Sequence, residues 1–415
     1  MNDPDKPERP TATARPLSNT RRYADRKDAY VSAAIPLINR HGVSGMTLQQ
    51  VAAELGQAPK AVAYYFKKKE DLAAACLLRG ILRTRDFAIG AQHGETAAER
   101  TSLFLQAYFD YRRRAALGEV EQLTSPNDIR ALNVEATHAA YAEMFRDIRR
   151  LLVDDSRQSS GLARNARAHF LVSQIHWTQY WLPNLLTERY PVICQRMTGI
   201  ILDGIAAPGS PWAPKTMPPR FPPPNPAGET AEEMFLRAAT ELINEQGYHG
   251  ASVDRISGRL SLTKGAFYHH IPSKDDLILA CFNRTLGIIC DAIPAAEAVS
   301  ANGLQALSTF AMSLVLPQVS GQGLLMRMSA ITTLPETMRP PLLKRYEQII
   351  GALASIVSDG IVDGSVRPLD SHLAAQAILG MINSADELPY FARDICVQAA
   401  IDDYIRPCFE GLMPT

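Results

Sequence analysis

The sequence has no excess of either charge, because 43 lysine and arginine residues are balanced by 43 aspartate and glutamate residues in a chain of 415. This balance excludes a protein that holds nucleic acid through a global basic field, so any nucleic-acid site must be local. Cysteine is scarce, with six dispersed residues and no pair at Cys-x-x-Cys spacing. That pattern argues against both a zinc site and a disulfide scaffold, and it favours a reduced compartment.

The sequence also lacks the motifs of the common enzyme classes. It contains no Gly-x-Ser-x-Gly, no Walker phosphate loop, no Gly-x-Gly-x-x-Gly and no His-Glu-x-x-His. Adjacent acids such as Asp275 and Asp276 diverge on a helix, so they do not share a substrate. We therefore expect no enzymatic activity, no cofactor and no metal site.

Apolar runs long enough for targeting or membrane insertion are missing as well. The first residues carry charges and prolines, which predicts a disordered basic tail over residues 1–22 rather than a signal peptide. The charge-free stretch between Glu297 and Arg327 is interrupted by asparagine, glutamine and serine, so it is too polar to span a bilayer. We expect a cytoplasmic protein without a membrane partner.

Proline, in contrast, is concentrated in one segment. Residues 207–228 hold nine of the 28 prolines. Proline favours the extended polyproline II conformation, so this segment is predicted to be a semi-rigid linker that spans up to about 65 Å. It divides the chain into two halves of similar length.

The two halves are related by a repeat. A shift of 205 residues aligns residues 33–79 with residues 238–284 without a gap. Identical pairs recur along the whole alignment and include Ala33/Ala238, Leu37/Leu242, Asn39/Asn244, Gly42/Gly247, Lys69/Lys274, Cys76/Cys281 and Arg79/Arg284. The chain is therefore interpreted as a tandem duplication of one unit of about 200 residues.

Each unit has helical periodicity and no strand alternation. Apolar residues recur at i, i+3, i+4, i+7 and i+8 from Tyr30, and again from Phe235. Gly42 is predicted to end the first helix, Thr47 to cap the second, and Pro59 to open a short third helix. An all-α fold follows, with a helix, a tight turn and a short helix in each unit, which is the geometry that enters a DNA major groove.

Both units resemble the tetracycline-repressor (TetR) family of bacterial one-component regulators. The second unit carries the family pattern almost intact, as Gly247-x-x-Gly250-x-Ser252, Lys264-Gly265-Ala266-Phe267-Tyr268-His269-His270-Ile271 and Ser273-Lys274-Asp275-Asp276-Leu277. The first unit is similar, with Gly42-x-x-Gly45-x-Thr47, Val51-Ala52-x-x-Leu55-Gly56, Tyr64-Tyr65-Phe66 and Lys69-Glu70-Asp71-Leu72. The resemblance implies two units, each with a three-helix helix-turn-helix domain followed by a helical bundle for ligand binding and dimerisation.

The resemblance also implies which residues contact double-stranded operator DNA. In the family the short helix lies in the major groove, while tyrosine, histidine and lysine side chains hold phosphates. In the first unit the matching positions are Thr47, Gln57, Pro59, Lys60, Ala61, Tyr64, Tyr65 and Lys69. In the second unit they are Ser252, Thr263, Lys264, Gly265, Tyr268, His269, His270 and Lys274.

The first unit departs from the pattern at two positions. Lys60 stands where the second unit has Gly265, and Ala63 stands where it has Tyr268. One phosphate contact is thereby lost, and each such contact contributes about 0.9 to the salt dependence of binding, so weaker binding by this unit is expected. Lys67 and Lys68, together with upstream arginines, offset the loss electrostatically or serve only as a solvated helix start.

The family places its effector pocket and its dimer interface in the helices that follow. The first half is richer in aromatic residues there, and its candidate effector-binding residues are Tyr141, Phe145, His176, Trp177, Tyr180 and Trp181. An apolar cavity with a few polar groups suits a small hydrophobic or aromatic effector. For any one of these residues a purely structural role in the core is the alternative.

The predicted organisation has six parts. These are a tail (residues 1–22), a first helix-turn-helix domain (23–82), a first regulatory domain (83–206), a linker (207–228), a second helix-turn-helix domain (229–287) and a second regulatory domain (288–413). We expect a repressor that a small-molecule effector releases from DNA, folded as an intrachain pseudo-dimer, with further association into a homodimer left open. The alternative is an effector-independent or architectural protein in which only the second helix-turn-helix reads DNA.

Overall fold

The computed structural model describes residues 17–124, 132, 134–154, 160–218, 221, 230–250, 252–260 and 273–413. Across these residues the protein is built from helices, without a β-strand, and its one isolated β-bridge joins Ala206 to Val366. The expected all-α fold is confirmed.

The first half contains eight α-helices within the described residues. They are α1 (Leu17–Gly45), α2 (Leu48–Glu54), α3 (Pro59–Tyr65), α4 (Lys69–Gly90), α5 (Ala97–Ala116), α6 (Glu135–Leu151), α7 (Gly161–Trp181) and α8 (Tyr190–Asp203). Gly42 has a φ of 68° and interrupts α1, as a glycine can without steric penalty. The Thr47 side chain accepts from the Gln50 amide, and the Gln50 side chain accepts from the Thr47 amide. This reciprocal cap sets the start of α2.

The second half begins with the same arrangement and ends differently. Its helices are α9 (Ala231–Gly250), α10 (Val253–Arg259), α11 (Lys274–Val299), α12 (Gly303–Val319), α13 (Arg339–Val362), α14 (Ser371–Asn383), α15 (Leu388–Phe391), α16 (Val397–Ala400) and α17 (Arg406–Glu410). Ser273 caps α11 by accepting from the Asp276 amide. Helix α14 ends at Asn383, and a π-helical turn lies between α16 and α17.

The contacts of the repeated residues explain why both halves keep them. Arg79 on α4 forms an ion pair with Asp28 on α1, and Arg284 on α11 forms one with Glu233 on α9 at 2.6 Å. The two carboxylates are separated by the same shift of 205 residues as the two arginines. In each half a charge-assisted bond therefore ties the first helix to the long helix that leads into the bundle.

The two halves pack against each other through α7 and α14. The indole nitrogen of Trp177 donates to Oε1 of Gln376 over 2.9 Å, and Nε2 of Gln174 donates to the Ala377 carbonyl over 3.1 Å. All of these groups are buried, so the hydrogen bonds satisfy polar atoms that would otherwise be desolvated without partners.

The ends of the two halves also cross at the backbone level. The Ile205 amide donates to the Phe409 carbonyl, and the Leu412 amide donates to the Ile201 carbonyl, both over 2.9 Å. Gly204, with a φ of 70°, lies so close to this crossing that an added Cβ would be 2.5 Å from the Gly411 nitrogen. The crossing therefore requires a residue without a side chain.

The described part of the proline-rich segment lies along the second half. The Lys215 amide donates to Oγ1 of Thr309 over 2.8 Å, and the Trp212 ring contacts the Phe409 ring at 5.3 Å. Phe221 is buried, with 4% exposure. Residues 207–218 and Phe221 are thus anchored to the second bundle, whereas the sequence alone predicts a spacer between the halves.

Helix α11 is long and apolar enough to cross a membrane by length and composition. More than half of its most apolar window, 56%, is buried inside the protein. Leu277, Phe282 and Leu286 are fully buried, which is the pattern of a core helix that packs against its neighbours.

Candidate nucleic-acid interface and ligand cavity

Helices α2 and α3 form a helix-turn-helix in the first half. The turn passes through Gly56, which has a φ of 62° and has no atom within 4 Å of the position that a Cβ would occupy. Helix α3 begins at Pro59. Val51 and Val62 are fully buried between the helices. These apolar contacts fix the inner side of α3 and direct its opposite side outward.

The predicted DNA-contacting residues of the first half divide into two groups. Gln57, Pro59, Lys60 and Tyr64 are exposed, as is the cap residue Thr47, whereas Ala61, Tyr65 and Lys69 are half-buried. The Tyr64 side chain is 73% exposed and stands out from α3.

Tyr65 belongs to a cluster of four tyrosines at the base of α3. Its ring lies 4.7 Å from that of Tyr23, 5.3 Å from that of Tyr30 and 5.1 Å from that of Tyr64. The Tyr30 hydroxyl donates to Oε1 of Gln57. The cluster fixes α3 on α1, and it adds Tyr23, which is 41% exposed beside Tyr64, to the candidate surface. Sequence comparison of the halves misses Tyr23 because the ungapped alignment begins at residue 33.

Basic side chains border this surface. Lys67 and Lys68 are exposed between α3 and α4, and Arg21, Arg22 and Arg26 are exposed on α1. The Lys27 ammonium lies 5.4 Å from the centroid of the Phe66 ring. Local positive charge is therefore present although the chain as a whole is neutral, and this is the form of charge that contacts a phosphate backbone.

In the second half the structure describes only the borders of the corresponding motif. Ser252 caps α10 by accepting from the Arg255 amide, and Lys274 opens α11. Partial burial lowers the pKa of Lys274, and the charge of Asp275 acts in the opposite direction. The other predicted residues of this half lie outside the described residues; they are Thr263, Lys264, Gly265, Tyr268, His269 and His270.

A cavity of about 730 Å³ lies between the halves. From the first half, α6 and α7 contribute residues that include five of the six predicted effector contacts, namely Tyr141, Phe145, His176, Trp177 and Tyr180. The sixth, Trp181, does not line the cavity and is buried with 4% exposure. This volume is within the range of sites that hold small organic ligands.

The second half supplies the other wall of the cavity. Its residues there include Arg327, Asn383, Glu387, Tyr390 and Phe391. The Phe391 ring is stacked on that of Phe145 with a centroid separation of 4.5 Å. The sequence does not predict this wall. Its residues meet those of α6 and α7 from distant positions along the chain, and such contacts produce no periodic pattern in the sequence.

Arg327, which lines the cavity, is held by two carboxylates. Arg327 binds Asp386 at 2.6 Å and Glu387 at 2.7 Å. Desolvation lowers the pKa of His176 to about 4, although Glu387 opposes this shift. The His176 imidazole is therefore neutral at neutral pH and offers one hydrogen-bond donor and one acceptor to the cavity.

The same wall is connected to α9, the first helix of the second half. The Arg327 amide donates to Oδ1 of Asn244 over 3.2 Å, and Nδ2 of Asn244 donates to the Leu325 carbonyl over 2.9 Å. Asn39, the repeat partner of Asn244, donates to the Leu123 carbonyl over 2.9 Å. In each half an asparagine of the first helix thus binds the segment that follows α5 or its counterpart α12.

A second cavity, of about 630 Å³, lies between α1 and the 3₁₀ segment Met328–Thr333. It shares Gln179, Tyr180 and Ser329 with the cavity between the halves. Nη1 of Arg339 donates to the Arg40 carbonyl over 3.0 Å nearby. The segment Met328–Thr333 therefore adjoins both the cavity between the halves and helix α1.

Comparison with known proteins agrees with the repeat. The family model for bacterial regulatory proteins of the tetR family matches residues 31–76 and again residues 235–281. The chain is 39% identical over 77 residues to the transposon Tn10 TetC protein of Escherichia coli, a match that covers 19% of this chain and 39% of that protein. It is 25% identical over 188 residues to the HTH-type transcriptional repressor DhaR of Mycobacterium sp. (strain GP1), covering 44% of this chain and 91% of that protein. A solved TetR family transcriptional regulator, PfmR from Thermus thermophilus, is similar with a TM-score of 0.36 and 23% identity, covering 43% of this chain and 98% of that one.

Proposed function

Because the chain belongs to the tetR family of bacterial regulatory proteins and carries the family's N-terminal domain twice, we propose that it is a sequence-specific transcriptional regulator with both half-site readers in one polypeptide. The observation that carries this proposal is the duplicated helix-turn-helix. In its first copy, α3 presents Lys60 and Tyr64 to solvent while Val62 anchors the opposite side. An exposed polar helix on a rigid support is what major-groove binding requires.

Both half-site readers act together when the halves form an intrachain pseudo-dimer. The buried hydrogen bonds between α7 and α14 and the backbone crossing at Gly204 support this arrangement. In such a protein the two reading helices contact successive major grooves about 34 Å apart. Because Lys60 and Gly265 differ between the halves, the operator is an imperfect palindrome.

The cavity between the halves supports control by a small molecule. A ligand there touches α6 and α7 of one half and Arg327 of the other, and Arg327 is hydrogen-bonded to Asn244 of the second DNA-binding domain. A ligand that binds the free protein more tightly than the DNA complex lowers operator affinity by linkage. We propose that the protein represses transcription and that a small hydrophobic or aromatic effector releases it from DNA.

The test of DNA reading uses fluorescence anisotropy with the duplex immediately upstream of the coding region. The double variant Lys60→Ala/Tyr64→Ala is expected to bind the duplex at least about tenfold more weakly. If Lys60 contacts one phosphate, its loss is also expected to reduce the slope of log affinity against log salt concentration by about 0.9. Lys344→Ala, which removes an exposed lysine of α13, serves as the matched control and should leave affinity unchanged. Unchanged affinity in the double variant would instead assign reading to the second helix-turn-helix alone.

The pseudo-dimer is tested by light scattering of the protein alone and with the same duplex. A particle of 45.6 kDa that binds one duplex supports the intrachain arrangement. A particle of twice that mass, with four motifs, would mean that the halves pair between chains.

A further inference from the structure

The cavity between the halves is lined by more cationic than anionic side chains. Three arginines, Arg146, Arg149 and Arg327, line it together with one carboxylate, Glu387. His176 adds no charge near neutral pH, since burial lowers its pKa to about 4. The excess of positive charge is thus a property of the arginines.

Two of these arginines are neutralised by carboxylates. Arg146 is paired with Glu143 on the same helix, and Arg327 is paired with Asp386 and Glu387. Such pairs have little charge left to attract a ligand, because each guanidinium already binds an acceptor of opposite sign.

Arg149 differs from both. Within the described residues its side-chain hydrogen bond is to a neutral group, from Nη1 to Oδ1 of Asn165 over 2.9 Å. Asn165 is itself fixed across the halves, because its Nδ2 donates to the Phe391 carbonyl over 2.7 Å. The Arg149 guanidinium is therefore held at the cavity wall by an amide and retains its charge for a ligand.

Aromatic side chains line the same cavity as Arg149. Phe391 is stacked between Phe145, at 4.5 Å, and His169, at 4.6 Å, and Tyr141 lies 6.1 Å from Phe391. Because both faces of Phe391 are covered, a planar ligand ring would meet its edge, and aromatic rings pair favourably edge to face. A further donor is available, since Nε2 of Gln179 is buried and has no hydrogen-bond partner in the described part of the protein.

We propose that this cavity binds one planar aromatic acid in its anionic form per chain. The anionic group pairs with Arg149, the ring packs against Tyr141, Phe145 and Phe391, and a second acceptor on the ligand receives the Gln179 amide. This proposal rests on the proposed function, in which the same cavity holds the effector, and it specifies the chemical class of that effector.

The test uses two fluorescent probes with one skeleton. 1-Anilinonaphthalene-8-sulfonate carries an anionic group, and N-phenyl-1-naphthylamine is its neutral counterpart. On the full chain, without DNA, the sulfonate is expected to bind with one site per chain and a Kd at least about tenfold lower than that of the neutral probe, as a charge-assisted bond predicts. Equal affinities, or two equivalent sites per chain, would overturn the proposal.

Substitution locates the site. Arg149→Gln keeps an amide beside Asn165 and is expected to weaken sulfonate binding about tenfold while leaving the neutral probe unchanged. Arg149→Met provides a second variant, and circular dichroism confirms that each variant is folded. The control is Arg113→Met, in a separate cavity between α5 and α8, which should change neither affinity. Loss of sulfonate binding in Arg113→Met but not in the Arg149 variants would refute the assignment.

Failure of the ligand class and failure of the proposed function give different results. Operator affinity is measured separately by anisotropy, with and without saturating sulfonate. Binding that depends on Arg149 but leaves operator affinity unchanged would uphold the ligand class and refute its role as the effector. DNA binding without any Arg149-dependent probe binding would uphold the regulator and refute the ligand class.

Discussion

Replacement of Gly204 by alanine is expected to destabilise the contact between the halves. Its φ of 70° and ψ of −166° lie in a region that only glycine adopts readily, and they cost an alanine about 1–3 kcal/mol. The new Cβ would also overlap the Phe409 carbonyl oxygen, which accepts from the amides of Ile205 and Ala206. Overpacking at this position adds about 1–3 kcal/mol, and weakening the two hydrogen bonds adds about 1 kcal/mol more. We expect Gly204→Ala to lower the free energy of unfolding by about 3–7 kcal/mol.

Gly209 provides a matched control for this substitution. Its φ is 80°, but the space around a Cβ there is open, so Gly209→Ala carries only the conformational penalty of about 1 kcal/mol. The assay is urea denaturation, followed by tryptophan fluorescence and by circular dichroism. An equal loss in the free energy of unfolding of the two variants would refute the argument, because it would show that the Cβ added at Gly204 does not disturb the crossing of the two halves.

Three further predictions concern the cavity and the interface around it. Arg327→Met should lower the free energy of unfolding by about 3–5 kcal/mol, because it leaves the Asp386 carboxylate, which is 5% exposed, without its cation. Adding Asp386→Asn in the same background should recover part of this loss. A loss below about 1 kcal/mol in Arg327→Met would contradict the pairing. The pKa of His176 is about 4 in the folded protein, against an ordinary value of 6.5. The unfolded chain therefore binds the proton at a higher pH than the folded chain does. The free energy of unfolding is expected to fall by up to about 3 kcal/mol as the pH drops from 6.5 towards 4. His176→Gln should lack this part of the slope in urea denaturation at a series of pH values, and an identical slope in both proteins would disprove the assignment. Trp177→Phe removes the indole N–H that donates to Gln376. It should lower the free energy of unfolding by about 1–3 kcal/mol, because a buried amide oxygen loses its hydrogen-bond partner. A denaturation midpoint equal to that of the parent protein would argue against a stabilising role of this bond.

Local features of the fold could be predicted from the sequence, and long-range features could not. Thr47 and Pro59 mark helix starts through interactions within four residues, and the structure confirms both of them. The division of the segment after Asn383 into short helices is not visible in the sequence. It depends on packing against the other half rather than on propensity.

The same distinction applies to the candidate sites. Aromatic residues of α6 and α7 are predicted as effector contacts from composition, and most of them line the cavity. Trp181 lies on α7 as well, but it is buried in the core and does not line the cavity. Which residues of α7 reach the cavity depends on the side of the helix from which each side chain projects. Arg327 and Phe391 are missed because their position depends on how the second half docks. The roles of these residues in binding stay predictions.

The paired contacts Arg79–Asp28 and Arg284–Glu233 show what duplication within one gene permits. In a homodimer every substitution occurs twice, so a change that improves one copy of a surface is imposed on the other. In this chain each substitution occurs once. The ion pairs that hold the DNA-binding domain to its bundle are kept in both halves, while Lys60 and Gly265 have diverged. Mutation can therefore alter one helix-turn-helix sequence at a time, and the two halves are free to specialise while the frame that joins them stays the same.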